Sequence, residues 1–296
     1  MVGNDKSKAG IIRHKEIKIN EDGEEILTVK GYSLSHFLSQ RITIPPINQA
    51  QDTIEGNAEM VMKHLVKRNC LDIEGMEFPN FIISPNQNRG ENIKWSSRYK
   101  NLAEELERIS RITDVACTIY PDFKRKTYIF DVYNGRDFSA SQNINPPVIF
   151  SSKFDNVKSQ EYVDSLMDCG NYAIVAGQGE GVNREVIMMG NENSSGFDKS
   201  VIFVDARDEE GSMDLQTRGN MKLKEHERIT SFNAEVLTTG PFKYQKDWDL
   251  GDIVTVQNKE WSVGVDTRIT EVTEIYEAGG FRLNVLFGDG PLTLGE

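Results

Sequence analysis

The sequence predicts an α+β fold that is rich in β-strands. Runs in which apolar and polar residues alternate occur near both ends of the chain, at 11–29 and 269–287, and such alternation is typical of half-buried strands. Only a few stretches with helical spacing lie between them. Strands and helices also do not alternate in the repeated βαβ order of a parallel sheet. We therefore expect mixed sheets with a few short helices.

Length and charge limit the possible functions. The chain has 296 residues, which is enough for two domains or three small ones. The formal net charge is -12, which argues against a protein that grips nucleic acid by neutralising phosphates, because such proteins cluster Lys and Arg. The charge does not exclude a surface along which a polyanion slides without adhering.

Cysteine usage and hydropathy indicate the compartment of synthesis. The three cysteines, Cys70, Cys117 and Cys169, are odd in number and have no CxxC spacing. We expect neither a disulfide framework nor a structural zinc site. No apolar run approaches the ~20 residues of a membrane span, and the N-terminus has no signal-peptide core. The sequence therefore predicts a protein that is made in a reducing cytoplasm and stays soluble.

Two predicted hairpins resemble each other. One turns at Asp22-Gly23 and the other at Ala278-Gly279-Gly280. When Gly23 is set on Gly279 without gaps, five of eleven positions agree between 19–29 and 275–285. One interpretation is a β-module used twice, by duplication. The other is two ordinary amphipathic hairpins that share turn chemistry.

The segments after the first hairpin predict a compact α+β unit over about 48–140. Ser33 is a candidate cap for a short helix over 34–40, and Pro45-Pro46 ends that segment. The spacing of apolar residues predicts helices over 52–71 and 98–112, the first of them with a capping box at Asp52 and Glu55. A further hairpin is predicted for 116–133, and Pro146-Pro147 indicates a boundary.

The next segments predict a second small α/β region. One or two helical turns are expected over 159–167, strands flank the glycine-rich turn 177–181, and a helix is expected over 213–227. The predicted domains are thus 1–46, 47–146, 147–230 and 231–296.

No motif in the sequence proposes catalysis, a metal or a cofactor. The loop at 177–181 lacks the GxxxxGK[ST] pattern and is predicted to be a hairpin loop. The four histidines have no partner at metal-ligand spacing, and no GxSxG occurs. Asp205, Arg207 and Asp208 are either a carboxylate pair for acid/base work or, as we favour, a salt-bridged knot at a strand end. The tryptophans Trp95, Trp248 and Trp261 are isolated.

A succession of weak motifs resembles one family. The stretches are LTVKGYSLSHFLSQR (27–41), the Ile44-Pro45-Pro46 break, VDARD (204–208), LQTRG (215–219) and LGDIV (250–254). Their order is similar to that of the hub-like tail proteins of long-tailed siphophages and their prophages. The resemblance covers most of the chain.

The resemblance implies an architecture and partners. Relatives of the baseplate hub have two barrel-like tube domains, related by duplication, with small α/β domains flanking or between them. Three subunits form a pseudo-sixfold ring that continues the tail tube and lets DNA pass without specific binding. The expected partners are further copies of the chain, as a homotrimer, and neighbouring tail proteins such as the distal tail protein and the tape measure. The candidate ring-forming turns are at Asp22, Gly23, Gly279 and Gly280.

The resemblance also leads to an expectation about the N-terminus. The family's first tube domain has additional strands upstream, whereas this chain begins inside that domain. We therefore expect a truncated first tube domain. The rival functions are a phage-associated peptidoglycan hydrolase or peptidase, and a carbohydrate-binding module.

Overall fold

The structure, a computed structural model, describes residues 8–207 and 215–288. The chain divides between Tyr133 and Asn134 into two compact units. Both units are built mainly from strands, with few helices, so the predicted α+β, β-rich fold is confirmed. The four domain spans predicted above stay predictions. None of the helices in the described residues has the length and apolar character needed to cross a membrane.

Within its described residues, 8–133, unit 1 contains three small sheets and two α-helices. Strands β1 and β2 form one antiparallel sheet, β3 and β5 a second, and β4, β7 and β6, in that order, a third. The strands are β1 (Gly10–Ile19), β2 (Glu25–Ser33), β3 (Asp52–Asn57), β4 (Phe81–Ile83), β5 (Asn92–Ser97), β6 (Val115–Asp122) and β7 (Thr127–Asn134). The helices are α1 (Ala58–Cys70) and α2 (Leu102–Thr113).

The predicted helix over 52–71 begins later than expected. Asp52–Asn57 forms strand β3 because it pairs with β5, and Asn57 caps α1 by accepting a hydrogen bond from the backbone N–H of Met60. Tertiary pairing thus overrides the apparent capping box. The predicted helix over 98–112 is α2, and the predicted hairpin over 116–133 is β6–β7. A 3-10 helix spans Leu34–Gln40, but the side chain of Ser33 makes no capping hydrogen bond.

A buried ion network joins α1 to a loop of unit 1. The carboxylate of Glu59, fully buried, lies 2.5 Å from the ammonium of Lys63. It also accepts hydrogen bonds from the backbone N–H groups of Gln87 and Arg89. Burial raises the pKa of Glu59, but the hydrogen bond from Lys63 and these two N–H donors outweigh it and hold the pKa below the usual 4.5.

Unit 2 contains a seven-stranded sheet and a three-stranded sheet. The large sheet has the order β10-β14-β17-β16-β15-β8, with β9 also paired to β15; the small sheet has the order β12-β11-β13. The strands are β8 (Asp137–Phe138), β9 (Ile149–Phe150), β10 (Val157–Ser165), β11 (Tyr172–Ala176), β12 (Val186–Gly190), β13 (Val201–Asp205), β14 (Ile229–Val236), β15 (Ile253–Asn258), β16 (Val263–Glu277) and β17 (Gly280–Gly288).

The expectation of helical turns over 159–167 is wrong. This segment forms most of β10, which pairs with β14 along its length. Its sequence, VKSQEYVDS, is mostly polar because β10 lies at the edge of the sheet, where few side chains are buried. An edge strand of this composition has too weak an apolar alternation to be predicted from sequence.

The helix α3 (Leu215–Glu225) covers one face of the small sheet. Leu215 and Leu223 pack against the buried cluster of the small sheet, which includes Ala173 and Val175 of β11. Gly219 lets the helix approach closely, since a Cβ there would meet Val175 at 2.8 Å. The predicted helix over 213–227 is thus confirmed over 215–225; His226 and Glu227 lie beyond its end, and positions 213 and 214 lie outside the described residues.

Asp252 fixes the junction of three strands of the large sheet. Its side chain is 4% exposed, and its carboxylate accepts hydrogen bonds from the backbone N–H and the guanidinium of Arg136 at 2.8 and 2.7 Å. The backbone N–H of Asp249 donates to the same carboxylate. The backbone carbonyl of Asp252 accepts from the N–H of Ile269 on β16. The motif LGDIV therefore joins β8, β15 and β16.

We expect Asp252→Asn to destabilise unit 2 by about 2 kcal/mol, because two partly buried N–H donors and a guanidinium lose a charged acceptor. Urea unfolding followed by the fluorescence of Trp248, which is buried in this unit, measures the change. The control is Asp164→Asn, which breaks the half-exposed pair of Asp164 with Arg228 and should cost much less, because solvent screens exposed ion pairs. Equal losses for both variants would contradict the assigned role of Asp252.

We expect Glu59→Gln to destabilise unit 1 by about 3 kcal/mol near neutral pH, since it leaves the buried Lys63 without its closest anion. Because folding lowers the pKa of Glu59, its contribution is present above about 4.5 and is lost as the pH falls through the folded value. The free energy of unfolding should therefore fall less steeply for Glu59→Gln than for wild type between pH 6 and 3. Glu107→Gln, at an exposed helix pair with Arg111, is the control and should leave the wild-type slope unchanged.

Candidate functional site

The charged cluster at the end of β13 is a salt-bridged knot. Asp205 accepts hydrogen bonds from Arg184 at 2.6 Å and from Arg207 at 2.5 Å. The hydrogen bond from Arg207 lowers the pKa of Asp205 to about 2. Arg184 also donates to the carbonyl oxygens of Ala176 and Gly177 and so caps the end of β11. Asp208, the second candidate carboxylate, lies outside the described residues.

The other candidate chemistry has structural explanations. Residues 177–181 lie in the connection 177–185 between the antiparallel strands β11 and β12, as predicted for a hairpin loop. Burial raises the pKa of the Cys70 thiol to about 12, so it is protonated at neutral pH. Trp95 and Trp248 are buried, and Trp261 is half-exposed. No group of three or more His, Cys, Asp or Glu side chains among the described residues could hold a metal ion.

The surface feature that stands out is the two-stranded ribbon β1–β2. In its register, Ile17 lies opposite Leu27 and Lys15 lies opposite Val29, whereas Glu16 lies opposite Thr28. Alternation places the first two pairs on one face and the third pair on the other. We call the first the aliphatic face; beside Lys15 and Glu25 it carries five aliphatic side chains, those of Ile12, Ile17, Ile19, Leu27 and Val29. All five side chains are exposed, with Ile17 at 74% and Leu27 at 63%.

The turn of this ribbon is preformed and acidic. The side-chain oxygen of Asn20 accepts hydrogen bonds from the backbone N–H groups of Asp22 and Glu24, an arrangement that asparagine often makes in turns. Gly23 has φ +81°, which favours glycine. Four carboxylates belong to the segment 21–25. The candidate residues Asp22 and Gly23 therefore shape an anionic tip, and their role in assembly stays a prediction.

The turn of the terminal hairpin β16–β17 is tighter. Glu277 pairs with Gly280, so only Ala278 and Gly279 lie between the strands. Gly280 has φ +123°, and no atom lies within 4 Å of a Cβ built on either glycine. The rings of Tyr276 and Phe281 stack next to the turn with centroids 4.7 Å apart. The candidate residues Gly279 and Gly280 thus form an exposed tip, and their role in assembly also stays a prediction.

The sequence similarity between the two hairpins does not correspond to equivalent positions. Ile19 pairs with Glu25 across a five-residue turn, whereas the aligned Ile275 pairs with Arg282. The registers therefore differ by one residue, and such a shift moves side chains to other neighbours. Leu283 and Val285 are buried, whereas the aligned Leu27 and Val29 are exposed. The similarity carries no argument for duplication, which rests on the family resemblance alone.

The fold is that of phage tail proteins. It is similar to the 43 kDa tail protein of prophage MuSo2 from Shewanella oneidensis, with TM-score 0.60 and 11% identity over 97% of this chain and 81% of that chain. It is also similar to a tail protein from Neisseria meningitidis MC58, with TM-score 0.56 and 13% identity over 95% and 79%. Prophage tail protein gp18 from Listeria monocytogenes EGD-e gives TM-score 0.51 and 10% identity over 96% and 78%.

Residues 1–289 match the model of the family described as Siphovirus ReqiPepy6 Gp37-like protein, and the chain belongs to that family. The predicted resemblance to siphophage and prophage tail proteins is thereby confirmed. No curated protein sequence matches the chain. The structural neighbours share the fold at low sequence identity.

We expect Gly280→Ala to loosen the terminal hairpin, because an L side chain at φ +123° costs about 1–3 kcal/mol of strain. Gly279→Ala is the matched control, since Gly279 has no positive φ and its Cβ would meet no atom. Hydrogen exchange of amides 274–283, read by mass spectrometry, should become faster in Gly280→Ala alone. Equal rates in both variants would mean that the turn does not set the stability of the tip.

Proposed function

We propose that this protein is a structural component of a phage or prophage tail tip or baseplate hub. Three copies form a ring that continues the tail tube, and DNA passes through its bore. In this proposal 1–46 is part of one tube-like domain and 231–296 is the other, so that three copies supply six wall segments. Membership in a tail-protein family and a fold shared with prophage tail proteins support the proposal.

The single observation that carries the assembly is the aliphatic face of β1–β2. A two-stranded ribbon is marginally stable by itself, and a contiguous group of exposed aliphatic side chains marks an interaction site. No described residue of the chain buries Ile17, Ile19 or Leu27. The ribbon therefore gains stability when another polypeptide covers this face, and in a ring that polypeptide is a further copy.

Charge supports the proposed passage of DNA. The net charge of -12 gives the ring a surface that repels phosphates, so DNA moves through without specific binding. Neighbouring tail proteins, such as the distal tail protein and the tape measure, are the proposed partners at the two rims. The protein is made in the cytoplasm of the bacterial host and resides in the virion tail.

The described residues favour a structural role over catalysis. A glycan hydrolase needs two carboxyl groups ~5–10 Å apart, one of them able to hold a proton near neutral pH. Asp205 is instead held ionised by two arginines. For a carbohydrate-binding module, the candidate ring of Trp95 is buried and cannot line a groove, whereas Trp261 is half-exposed. We therefore propose that the protein is not an enzyme and uses no cofactor.

We expect the wild-type protein to form a species of three protomer masses as its concentration rises, measured by light scattering and sedimentation velocity. Ile17→Lys should weaken this assembly more than about tenfold, because it introduces a charge into the buried apolar contact. The matched control is His14→Lys, which adds a charge on the opposite face of the same strand.

Ring-shaped particles of wild type in electron micrographs would support the proposal directly. A wild-type protein that stays monomeric at every concentration tested would count against homomeric assembly. Equal association of Ile17→Lys and wild type would show that the aliphatic face takes no part in it.

A further inference from the structure

The small sheet of unit 2 has a second apolar face that none of the described residues 8–207 and 215–288 covers. Ala173 and Val175 of β11 point toward α3, so alternation places Tyr172 and Ile174 on the opposite face. In the register, Ile174 lies between Met188 of β12 and Phe203 of β13. We call this the Phe203 face; it carries Tyr172, Ile174, Val186, Met188, Val201 and Phe203. Met188 and Phe203 are 65% and 63% exposed.

The Phe203 face is bordered by cations at both ends. The ammonium of Lys199 lies 3.7 Å from the ring centroid of Tyr172. At the other end the guanidinium of Arg184 lies 5.8 Å from the ring of Phe203, and Arg207 belongs to the same knot around Asp205. The cations at the two ends of the Phe203 face are thus Lys199 on one side and Arg184 and Arg207, both bound to Asp205, on the other.

The aliphatic face of β1–β2 is complementary to the Phe203 face in both apolarity and charge. Each is the uncovered side of a small sheet, and two such sheets pack face to face at about 10 Å. The ribbon ends in the acidic tip 21–25, with four carboxylates, whereas the Phe203 face ends in Arg184 and Arg207. Opposite charges at the ends of an apolar contact set its direction.

We propose that the aliphatic face of β1–β2 in one copy packs on the Phe203 face of a second copy, with the acidic tip next to Arg184 and Arg207. The inference names the partner surface for the assembly proposed above and rests on it. Since the two surfaces differ, the contact is heterologous: each copy uses its ribbon on one neighbour and its Phe203 face on the other. Contacts of this kind form a ring when the rotation between neighbouring copies closes, and an open filament when it does not; the ring proposed above requires closure after three copies.

The small size of one contact favours assembly as a closed ring over isolated pairs. Five-residue strands give the Phe203 face a length of about 16 Å, roughly half that of the ten-residue ribbon. One such contact is smaller than a standard interface of about 800 Å² per partner. In a closed ring every copy makes two contacts, so the ring is stable where an isolated pair is weak. Assembly should therefore be steeply dependent on concentration.

Two variants and their mixture test the inference. Ile17→Lys disables the ribbon, and Phe203→Lys disables the sheet face. Asn193→Lys, in the exposed connection between β12 and β13, is the control for added charge near the sheet. Met188→Lys is a second disabling variant of the same face. Circular dichroism identical to wild type shows that each variant is folded, since both substituted side chains of the sheet point to solvent.

We expect Ile17→Lys and Phe203→Lys each to be monomeric by sedimentation velocity under conditions where wild type and Asn193→Lys assemble. An equimolar mixture of the two should form a one-to-one dimer at high concentration and nothing larger. In that dimer the intact ribbon of Phe203→Lys meets the intact sheet face of Ile17→Lys. A mixture that stays monomeric at the concentrations where wild type forms pairs would overturn the inference.

The experiments give different results if this inference is wrong and if the proposed function is wrong. If Phe203→Lys and Met188→Lys assemble as wild type does, the ribbon has another partner surface, and the ring proposal stands without this contact. If wild type itself is monomeric throughout, homomeric assembly is wrong, and the contact inferred from it is wrong as well.

Discussion

The buried carboxylate of Asp252 is the interaction on which the large sheet of unit 2 depends. A charged group that is 4% exposed needs several donors to offset its loss of water, and this one receives them from Arg136 and Asp249. The same residue sets where β15 begins, because Ile253 donates to the carbonyl of Arg136 and Ile269 donates to that of Asp252. The registers in which β8, β15 and β16 pair therefore depend on the buried carboxylate of Asp252 and its hydrogen bonds.

Gly135 contributes to this junction through the absence of a side chain. A Cβ on Gly135 would lie 1.8 Å from the carbonyl oxygen of Gly251, so the two backbone segments can meet only without a side chain there. Arg268 then donates to the carbonyl oxygen of Gly251. In sequence, Asn134-Gly135 signals only a turn, because the close approach depends on a segment more than 100 residues away.

Local signals were sufficient for the hairpins and helices but not for the pairings. The turns at Asp22-Gly23 and Gly279-Gly280 and the apolar faces of α1 and α2 are encoded within a few residues, and the structure contains each of them. The strand β3 was predicted as helix because its partner β5 lies some 40 residues further on. The strand β10 was missed because its mostly polar edge sequence has weak apolar alternation. The uncovered Phe203 face could not be predicted either, since alternation alone does not say which side a helix will cover.

The two hairpins show that the alternation of apolar residues does not by itself predict burial. In β17 the apolar residues Leu283, Val285 and Phe287 are buried, because β14 and β16 flank the strand and the large sheet packs around it. In β1–β2 the same kind of alternation meets water, because the ribbon forms a sheet of its own. Burial of its apolar side chains lets β17 stabilise the fold by roughly 25 cal/mol per Å² of apolar surface. The ribbon does not gain this free energy on folding, because its aliphatic side chains stay exposed. This hydrophobic free energy is gained only when another surface covers the aliphatic face, so it stabilises association rather than the folding of the ribbon.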